Sequence, residues 1–204
     1  MYIPHHYKEE DRSKLLAFMR AHSFAILVSG DGELHATHLP FLIEEKSEDI
    51  FLVSHLAKAN PQWKKFNERI SLLAIFSGPH GYVSPSNYEK QQNVPTWNYV
   101  AVHAYGTAKI IEEKDTVTCI LEKTINNYEK EYFDQWQMLA QDYKDKMIKG
   151  IVAFEIKVTR LEGKYKLSQN KTGKEQRNIV HYFEKQKDSV SEELASLMKK
   201  NLPA

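Results

Sequence analysis

Residues 24–43 read FAILVSGDGELHATHLPFLI, and this stretch is a strong indication of the fold. The apolar residues 24–29 predict a buried strand, Gly30-Asp31-Gly32 is typical of a tight turn, and residues 34–43 predict the returning strand. Pro40 has no backbone N–H to donate to a neighbouring strand, so it predicts a sheet edge, a bulge or a barrel bend. The stretch therefore predicts an antiparallel hairpin.

The remaining strands and helices extend this hairpin into an α+β fold. Further strands are predicted at residues 50–55, 70–76, 82–84, 100–111 and 150–161. Helices are predicted at residues 11–22 behind a cap at Asp11, from Asn60-Pro61 to residue 69, and at residues 117–128 and 134–147. Most strands follow short turns, and strand and helix do not alternate regularly. This favours a small antiparallel β-barrel with peripheral helices over a doubly wound parallel sheet.

The character of the sequence changes after Gly163. Residues 164–178 carry a local charge excess of +4, from Lys164, Lys166, Lys171, Lys174 and Arg177 against Glu175. Such a run is commonly a solvated surface, and the alternative is contact with nucleic acid. Two short C-terminal helices follow, the second with a capping box at Ser189-x-x-Glu192. We expect a barrel domain with inserted helices at residues 1–163, with the basic segment and C-terminal helices of residues 164–204 packed on it.

Composition argues against several classes of protein. Lys and Arg number 28 against 27 for Asp and Glu, and a net charge of +1 does not suit a histone-like or ribosomal nucleic-acid binder. Cys119 is the only cysteine, which excludes an intrachain disulfide, and its place among Val117, Ile120 and Leu121 predicts a buried thiol. The N-terminal residues lack the pattern of a signal peptide, and the uncharged residues 70–88 are broken by glycine and proline. We therefore expect a cytoplasmic protein without a membrane span.

The known catalytic motifs are missing from the sequence. It contains no dinucleotide-binding glycine motif, P-loop, zinc-protease motif or serine-hydrolase elbow. His35-x-x-His38 resembles a metal-binding pair, but a spacing of three on a strand points the two rings to opposite faces. No metal site and no catalytic residue are therefore predicted.

The segment 70–108 differs from the rest of the chain in its charge. It contains two charged residues, Glu89 and Lys90, where the chain average of 27% predicts about ten. Residues 78–99 are instead rich in aromatic rings, amides and hydroxyls. Such a lining suits a flat, uncharged ligand that stacks on rings and bonds to amides. The alternatives are an aromatic-rich barrel mouth or a dimer interface.

Residues 54–61, which read SHLAKANP, lead from a predicted strand into a predicted helix. A phosphate monoester needs a cation, hydroxyl groups and backbone N–H groups, and such a junction offers all three. Lys58 would be the cation, and the alternative is that it is an ordinary solvated surface lysine.

Seven segments together carry a family resemblance: Met1-Tyr2-Ile3-Pro4, His38-Leu39-Pro40-Phe41, His55-Leu56-Ala57-Lys58-Ala59-Asn60-Pro61-Gln62-Trp63, Gly78-Pro79-His80-Gly81-Tyr82-Val83-Ser84-Pro85, Val94-Pro95-Thr96-Trp97-Asn98-Tyr99, Val102-His103-Ala104-Tyr105-Gly106 and Lys166-Leu167-Ser168-Gln169-Asn170. On these residues the chain resembles the PaiB-like FMN-binding negative transcriptional regulators, over nearly its whole length. The Ala-Asn-Pro-Gln-Trp and Pro-Thr-Trp-Asn-Tyr blocks are long enough to be specific.

The resemblance implies an antiparallel split β-barrel of the FMN-binding type, usually a homodimer with the flavin near the subunit interface. It also implies a role in the negative control of protease production and sporulation in bacilli. By this similarity the phosphate would lie near Ser54, His55, Lys58 and Asn60. The ring, or its partner-subunit wall, would lie near Thr96, Trp97, Asn98 and His103, and His38 is a further cofactor-binding candidate.

Two functions follow from the resemblance. The first is a flavin-binding repressor that acts on DNA directly or through another regulatory protein, with Lys164, Lys166, Lys171, Lys174 and Arg177 as the candidate nucleic-acid contacts. The alternative is a flavin-dependent oxidoreductase or flavin reductase, in which FMN would carry the redox chemistry. His38, His80 and His103 are of the right type to donate a proton, and none of them stands out as catalytic.

Overall fold

The computed structural model describes residues 1–31, 33–66 and 70–202. These residues form one antiparallel sheet, whose strands are β1 (Lys8–Glu9), β2 (Phe24–Asp31), β3 (Glu33–Pro40), β4 (Leu42–Lys46), β5 (Asp49–Ala57), β6 (Ser71–Val83), β7 (Thr96–Ile111) and β8 (Ile151–Lys166). The order within the sheet is β3-β2-β6-β7-β8-β5-β4, and β1 pairs with β8. The expected α+β class with an antiparallel sheet is therefore confirmed.

Six α-helices accompany the sheet in the described ranges: α1 (Arg12–Ala21), α2 (Lys114–Tyr128), α3 (Tyr132–Met138), α4 (Gln141–Lys149), α5 (Gly173–Glu184) and α6 (Ser189–Lys199). The predicted cap of α1 is present, since Oδ1 of Asp11 accepts from the backbone N–H groups of Ser13 and Lys14. None of the helices that the structure describes is long and apolar enough to cross a bilayer.

Close contacts divide the chain into two compact units. The terminal unit comprises Met1–Phe18, Ser77–His103 and Glu162–Ala204, and the central unit comprises Met19–Phe76 and Ala104–Leu161. Each of β6, β7 and β8 contributes residues to both units. The boundary predicted between residues 163 and 164 stays a prediction.

The hairpin of the central unit is the one that the opening stretch predicts. Strands β2 and β3 pair from Phe24 opposite Pro40 to Asp31 opposite Glu33, and Gly32 of the predicted turn lies outside the described residues. Pro40 ends β3, and from Leu42 onward the chain pairs with β5 instead. The single strand predicted at residues 34–43 is therefore two strands, β3 and β4, and Pro40 marks the point where the chain changes its partner strand.

Strand β6 corrects two predicted elements. Residues 70–76 and 82–84 are expected as separate strands, but one strand runs from Ser71 to Val83 through Gly78, Pro79 and Gly81. These residue types usually interrupt a strand. Here Gly81 serves a close approach, because a Cβ at this position would lie 2.5 Å from the Phe183 ring of α5.

The helices also differ from their predicted bounds. The helix expected at residues 134–147 is two helices, because the backbone is extended at Leu139 and Ala140. The segment after Asn60 is a 3-10 turn over Pro61–Lys65, and residues 67–69 of the predicted helix lie outside the described ranges. In this segment the Phe66 ring is buried and the Trp63 ring is half-buried.

Two further expectations about helix residues are wrong. Asp188, and not Ser189, caps α6 by accepting from the Ser191 N–H at 2.9 Å, so that Ser189 is already helical. Cys119 is exposed. Val117 and Ile120 are the buried residues of this part of α2, and Cys119 points away from the side that they bury.

Candidate functional site

The predicted phosphate segment lies in the central unit, between the end of β5 and the 3-10 turn. Ser54 is only 4% exposed, and its hydroxyl donates to the Pro40 carbonyl oxygen at 2.7 Å. The Asn60 side chain is engaged at both ends: Oδ1 accepts from the Gln62 N–H at 3.0 Å, and Nδ2 donates to Thr37 Oγ1 at 3.0 Å. Both side chains therefore hold the segment in place through bonds within the unit.

Hydrogen bonds hold the backbone of Lys58 in place, whereas its side chain extends into solvent. Its N–H donates to the Gly150 carbonyl oxygen at 2.8 Å, and its own carbonyl oxygen accepts from Nε1 of Trp63 at 3.0 Å. The side chain is exposed, and its ammonium has no hydrogen-bond or ion-pair partner among residues 1–31, 33–66 and 70–202. Of the four residues predicted near the phosphate, Lys58 is the cation available to an anion.

The two predicted histidines of the central unit differ in their surroundings. His55 is half-buried on β5, and burial lowers the pKa of its imidazole below the ordinary value. A neutral His55 can form a hydrogen bond to a ligand but adds no positive charge. His38 is exposed on β3, where its ring stacks with the Phe24 ring at a centroid distance of 6.1 Å.

Gln62 organises this region, although the sequence reasoning assigned it no role. Its side chain is 1% exposed, and Nε2 donates to Ser29 Oγ at 3.0 Å and to the Leu27 carbonyl oxygen at 3.1 Å. Its Oε1 accepts from the Thr37 hydroxyl at 2.5 Å. Gln62 thus fastens the 3-10 turn to the β2–β3 hairpin. In the sequence, this role is indicated by the position of Gln62 in the specific Ala-Asn-Pro-Gln-Trp block.

His35 and His38 have different neighbours. Nε2 of His35 lies 3.1 Å from the ammonium of Lys65, whereas His38 packs on Phe24. In the described part of the chain, no three His, Cys, Asp or Glu side chains come close enough together to hold a metal ion.

The residues predicted near the flavin ring lie in the terminal unit. Asn98 is fully buried; its Oδ1 accepts from the Ser168 hydroxyl at 3.0 Å, and its Nδ2 lies 3.4 Å from Met198 Sδ. Asn98 therefore ties the Lys-Leu-Ser-Gln-Asn block to β7. Thr96 and Trp97 lie together, because the Lys166 ammonium donates to the Thr96 hydroxyl and, at 2.5 Å, to the Trp97 carbonyl oxygen.

The Trp97 indole is 52% exposed and lies beside two other rings. Its centroid is 6.0 Å from that of His80 and 6.1 Å from that of Tyr82. His103 is half-buried further along β7. Burial lowers the pKa of its imidazole, and the positive charge of the Met1 amino group lowers it further. The predicted phosphate and ring groups belong to different units, and their joint role at a cofactor stays a prediction.

Four of the five basic residues predicted to contact nucleic acid are engaged within the terminal unit. Lys164 donates to the Tyr2 carbonyl oxygen at 3.1 Å, and Lys171 donates to Asn93 Oδ1 at 2.8 Å. Lys166 bonds as described above, and Lys174 forms an ion pair with Glu89 at 2.9 Å. Arg177 is exposed on α5. The run is therefore not a uniform cationic surface, and its contact with nucleic acid stays a prediction.

Comparison with known sequences gives a family and a relative of similar length. The model of a family described as "Putative FMN-binding domain" matches residues 1–160. The "Protease synthase and sporulation protein PAI 2" of Bacillus subtilis (strain 168) is 36% identical over 99% of this chain and 98% of its own. An uncharacterized protein of Emericella nidulans, AN0679, is 30% identical over 74% of this chain and 75% of its own.

Solved structures of distant sequence share the fold. The flavocytochrome Anf3 from Azotobacter vinelandii superposes with a TM-score of 0.61 at 18% identity, over 79% of this chain and 70% of its own. The FAD and heme binding protein from Mycobacterium smegmatis superposes with a TM-score of 0.60 at 14% identity, over 78% and 73% of the two chains. The predicted split barrel with peripheral and C-terminal helices is confirmed, and FMN is confirmed as the cofactor of the matching family.

Proposed function

Because the chain belongs to the FMN-binding family whose model matches residues 1–160, we propose that it is an FMN-binding negative regulator of transcription that affects protease production and sporulation. The 36% identity to the Bacillus subtilis protein carries this proposal, because it extends over 99% of one chain and 98% of the other. The proposal includes a cytoplasmic homodimer that acts on DNA or through another regulatory protein.

Within this proposal, Lys58 binds the phosphate of FMN. A phosphate monoester carries a charge of about −1.5 to −2 at pH 7 and is best held by a cation whose backbone is already positioned. The exposed ammonium of Lys58 and the hydrogen bonds on both sides of its peptide unit support this assignment. Ser54 and Asn60 then shape the segment, and the neutral His55 is a further hydrogen-bonding group. When bound, FMN supplies a ring system that accepts and returns electrons.

The phosphate assignment is tested by titrating the protein with FMN and with riboflavin, which lacks the phosphate. Lys58→Ala should weaken FMN binding by about 1.5–3 kcal/mol, the usual value of a charge-assisted hydrogen bond, and leave riboflavin binding unchanged. Lys109→Ala removes another exposed lysine of the central unit and serves as the control. An equal dissociation constant for FMN in the Lys58 variant and the wild type would refute the assignment.

The regulatory role is tested separately. A mobility-shift assay with promoter DNA of a protease gene, run at two salt concentrations with and without FMN, distinguishes direct repression from non-specific attraction. A direct repressor should retain its sequence preference at the higher salt concentration. Binding without sequence preference counts against direct repression, and a deletion that leaves protease transcripts unchanged counts against the regulatory role as a whole.

The alternative, a flavin-dependent oxidoreductase or flavin reductase, stays a prediction. His38 and His80 are exposed and His103 is half-buried, so that a proton donor is available in each unit. Steady-state oxidation of NADH and NADPH with added FMN is the direct assay, and a rate equal to that of free flavin would end this alternative.

A further inference from the structure

A loop of the terminal unit lies over the start of the basic segment. This covering loop, residues 87–93, connects β6 to β7 and packs against α5. Nδ2 of Asn178 donates to the Asn87 carbonyl oxygen at 3.1 Å. The Glu89 N–H donates to Oε1 of Glu175, also at 3.1 Å, and Glu175 is only 6% exposed. These two bonds anchor the backbone of the loop independently of its exposed side chains.

Side chains of the covering loop bind two of the lysines predicted to contact nucleic acid. Oε1 of Glu89 lies 2.9 Å from the ammonium of Lys174, and Oε2 accepts from the Thr172 hydroxyl at 3.3 Å. Oδ1 of Asn93 accepts from the ammonium of Lys171 at 2.8 Å. One loop therefore engages both lysines around the start of α5.

The charge of Glu89 is unusual for its part of the chain, since it is the only acidic residue in segment 70–108. The hydrogen bond from Lys174, together with the positive charge of that lysine, lowers the pKa of the Glu89 carboxyl, so that it is ionised at neutral pH. An ionised carboxylate here neutralises Lys174 and also repels any phosphate that approaches the lysine. A neutral side chain would fill the same space without this repulsion.

The ion pair between Glu89 and Lys174 can be exchanged for another. The Lys174 and Glu89 side chains are 69% and 41% exposed, and ion pairs between exposed groups contribute little to stability. Lys174 and Arg177 are three residues apart on α5, so they lie on the same side of the helix, and Arg177 is exposed as well. A polyanion that reaches Arg177 would therefore find Lys174 beside it, once the Glu89 carboxylate has moved away.

We propose that Glu89 is an autoinhibitory residue, which holds Lys174 until the phosphate backbone of DNA takes its place. The inference rests on the proposed function, since it concerns a regulator that acts on DNA directly. DNA fits this surface because its successive phosphates can contact Lys174 and Arg177 together. Movement of the Glu89 side chain leaves the backbone anchors at Asn178 and Glu175 in place, so the loop does not have to unfold.

The test measures the affinity for duplex promoter DNA of a protease gene at several salt concentrations. Glu89→Gln keeps the size of the side chain and removes its charge. The variant should bind about threefold to tenfold more tightly, and the plot of log affinity against log salt concentration should become steeper by about one, since one more cation is available to the phosphates. Glu192→Gln removes the same charge from an exposed position on α6 and should change neither quantity.

A double variant shows whether the effect of Glu89 passes through Lys174. Glu89→Gln combined with Lys174→Gln should bind DNA as Lys174→Gln alone does, because the lysine that Glu89 covers is then absent. The thermal midpoint of each variant is measured as well. All substituted side chains are exposed and the buried Glu175 is left intact, so each variant should remain folded.

The outcomes separate this inference from the proposed function. Tighter binding in Glu89→Gln that disappears without Lys174 supports autoinhibition. DNA binding that is equally strong in the wild type and Glu89→Gln overturns the inference and leaves the proposed function untouched. An equal gain in Glu192→Gln, or a gain that persists in the double variant, also overturns the inference. If neither the wild type nor Glu89→Gln binds DNA, the inference and direct repression are both refuted, and the protease transcripts still decide the wider regulatory role.

Discussion

Gly81 of β6 lies against Phe183 of α5 so closely that a Cβ at residue 81 would be 2.5 Å from the Phe183 ring and 3.0 Å from Leu194. The contact joins the strand to both C-terminal helices, because Leu194 belongs to α6. Phe183 and Leu194 are fully buried or nearly so, and neither has room to move aside.

Gly81→Ala should therefore destabilise the protein. Overpacking of a filled core costs about 1–3 kcal/mol, and the added methyl group meets buried carbon atoms. Urea unfolding followed by circular dichroism measures the loss. Gly150→Ala is the control, because a Cβ there meets only the Met147 carbonyl oxygen at 3.3 Å. Equal stability of the Gly81 variant and the wild type would contradict the packing described here.

Gln62→Leu should destabilise the fold through the groups that it leaves behind. The variant removes the partner of the Ser29 and Thr37 hydroxyls and of the Leu27 carbonyl oxygen. A buried polar group without a partner costs about 1–3 kcal/mol. The free energy of unfolding in urea is the measurement, and Gln92→Leu, at an exposed glutamine, is the control. A variant as stable as the wild type would show that water satisfies these groups instead.

Stability should fall as the pH drops below 7, in part because of His55. Burial lowers its folded-state pKa below the unfolded value of about 6.5, so the unfolded chain binds more protons in this range and acid favours unfolding. The contribution is complete above the unfolded pKa and is lost as the pH falls toward the folded one. His55→Gln should show a weaker decline between pH 7.5 and 5.5 in urea titrations. His38→Gln, at an exposed histidine, should decline as the wild type does.

The caps of α6 provide a direct test of structure against sequence pattern. Asp188→Ala should lower the thermal midpoint, because the Ser191 N–H loses its side-chain acceptor. Ser189→Ala should have little effect, since Ser189 is the first residue inside the helix. A loss of stability in Ser189→Ala but not in Asp188→Ala would contradict the structure and support the Ser189 capping box that the sequence pattern predicts.

Features formed by residues close together in the chain could be predicted well. The β2–β3 hairpin, the Asp11 cap and the Asn60-Pro61 junction depend on a few neighbouring residues, whose turn and capping preferences are local. The same reason explains why Lys58 could be placed just after the end of a strand, although the helix predicted to follow it is a 3-10 turn.

Features that depend on distant partners could not be predicted from local patterns. The close packing that requires glycine at residue 81 depends on Phe183, about a hundred residues away in the sequence, and the bond of Asn98 depends on Ser168. The Thr37 and Pro40 acceptors of Asn60 and Ser54 lie on other strands. For these side chains the residue type indicates only that a partner is needed.

The family, the cofactor class and the order of most elements were therefore readable from the printed chain, because they follow from contiguous residues. The sequence alone does not distinguish Lys58, which has no partner in the described ranges, from Lys174, which pairs with Glu89, or from Lys166, which bonds to neutral groups. Identical side chains acquire different roles only when folding brings distant carboxylates, carbonyl oxygens or rings within bonding distance, and this proximity depends on the packing of the whole chain.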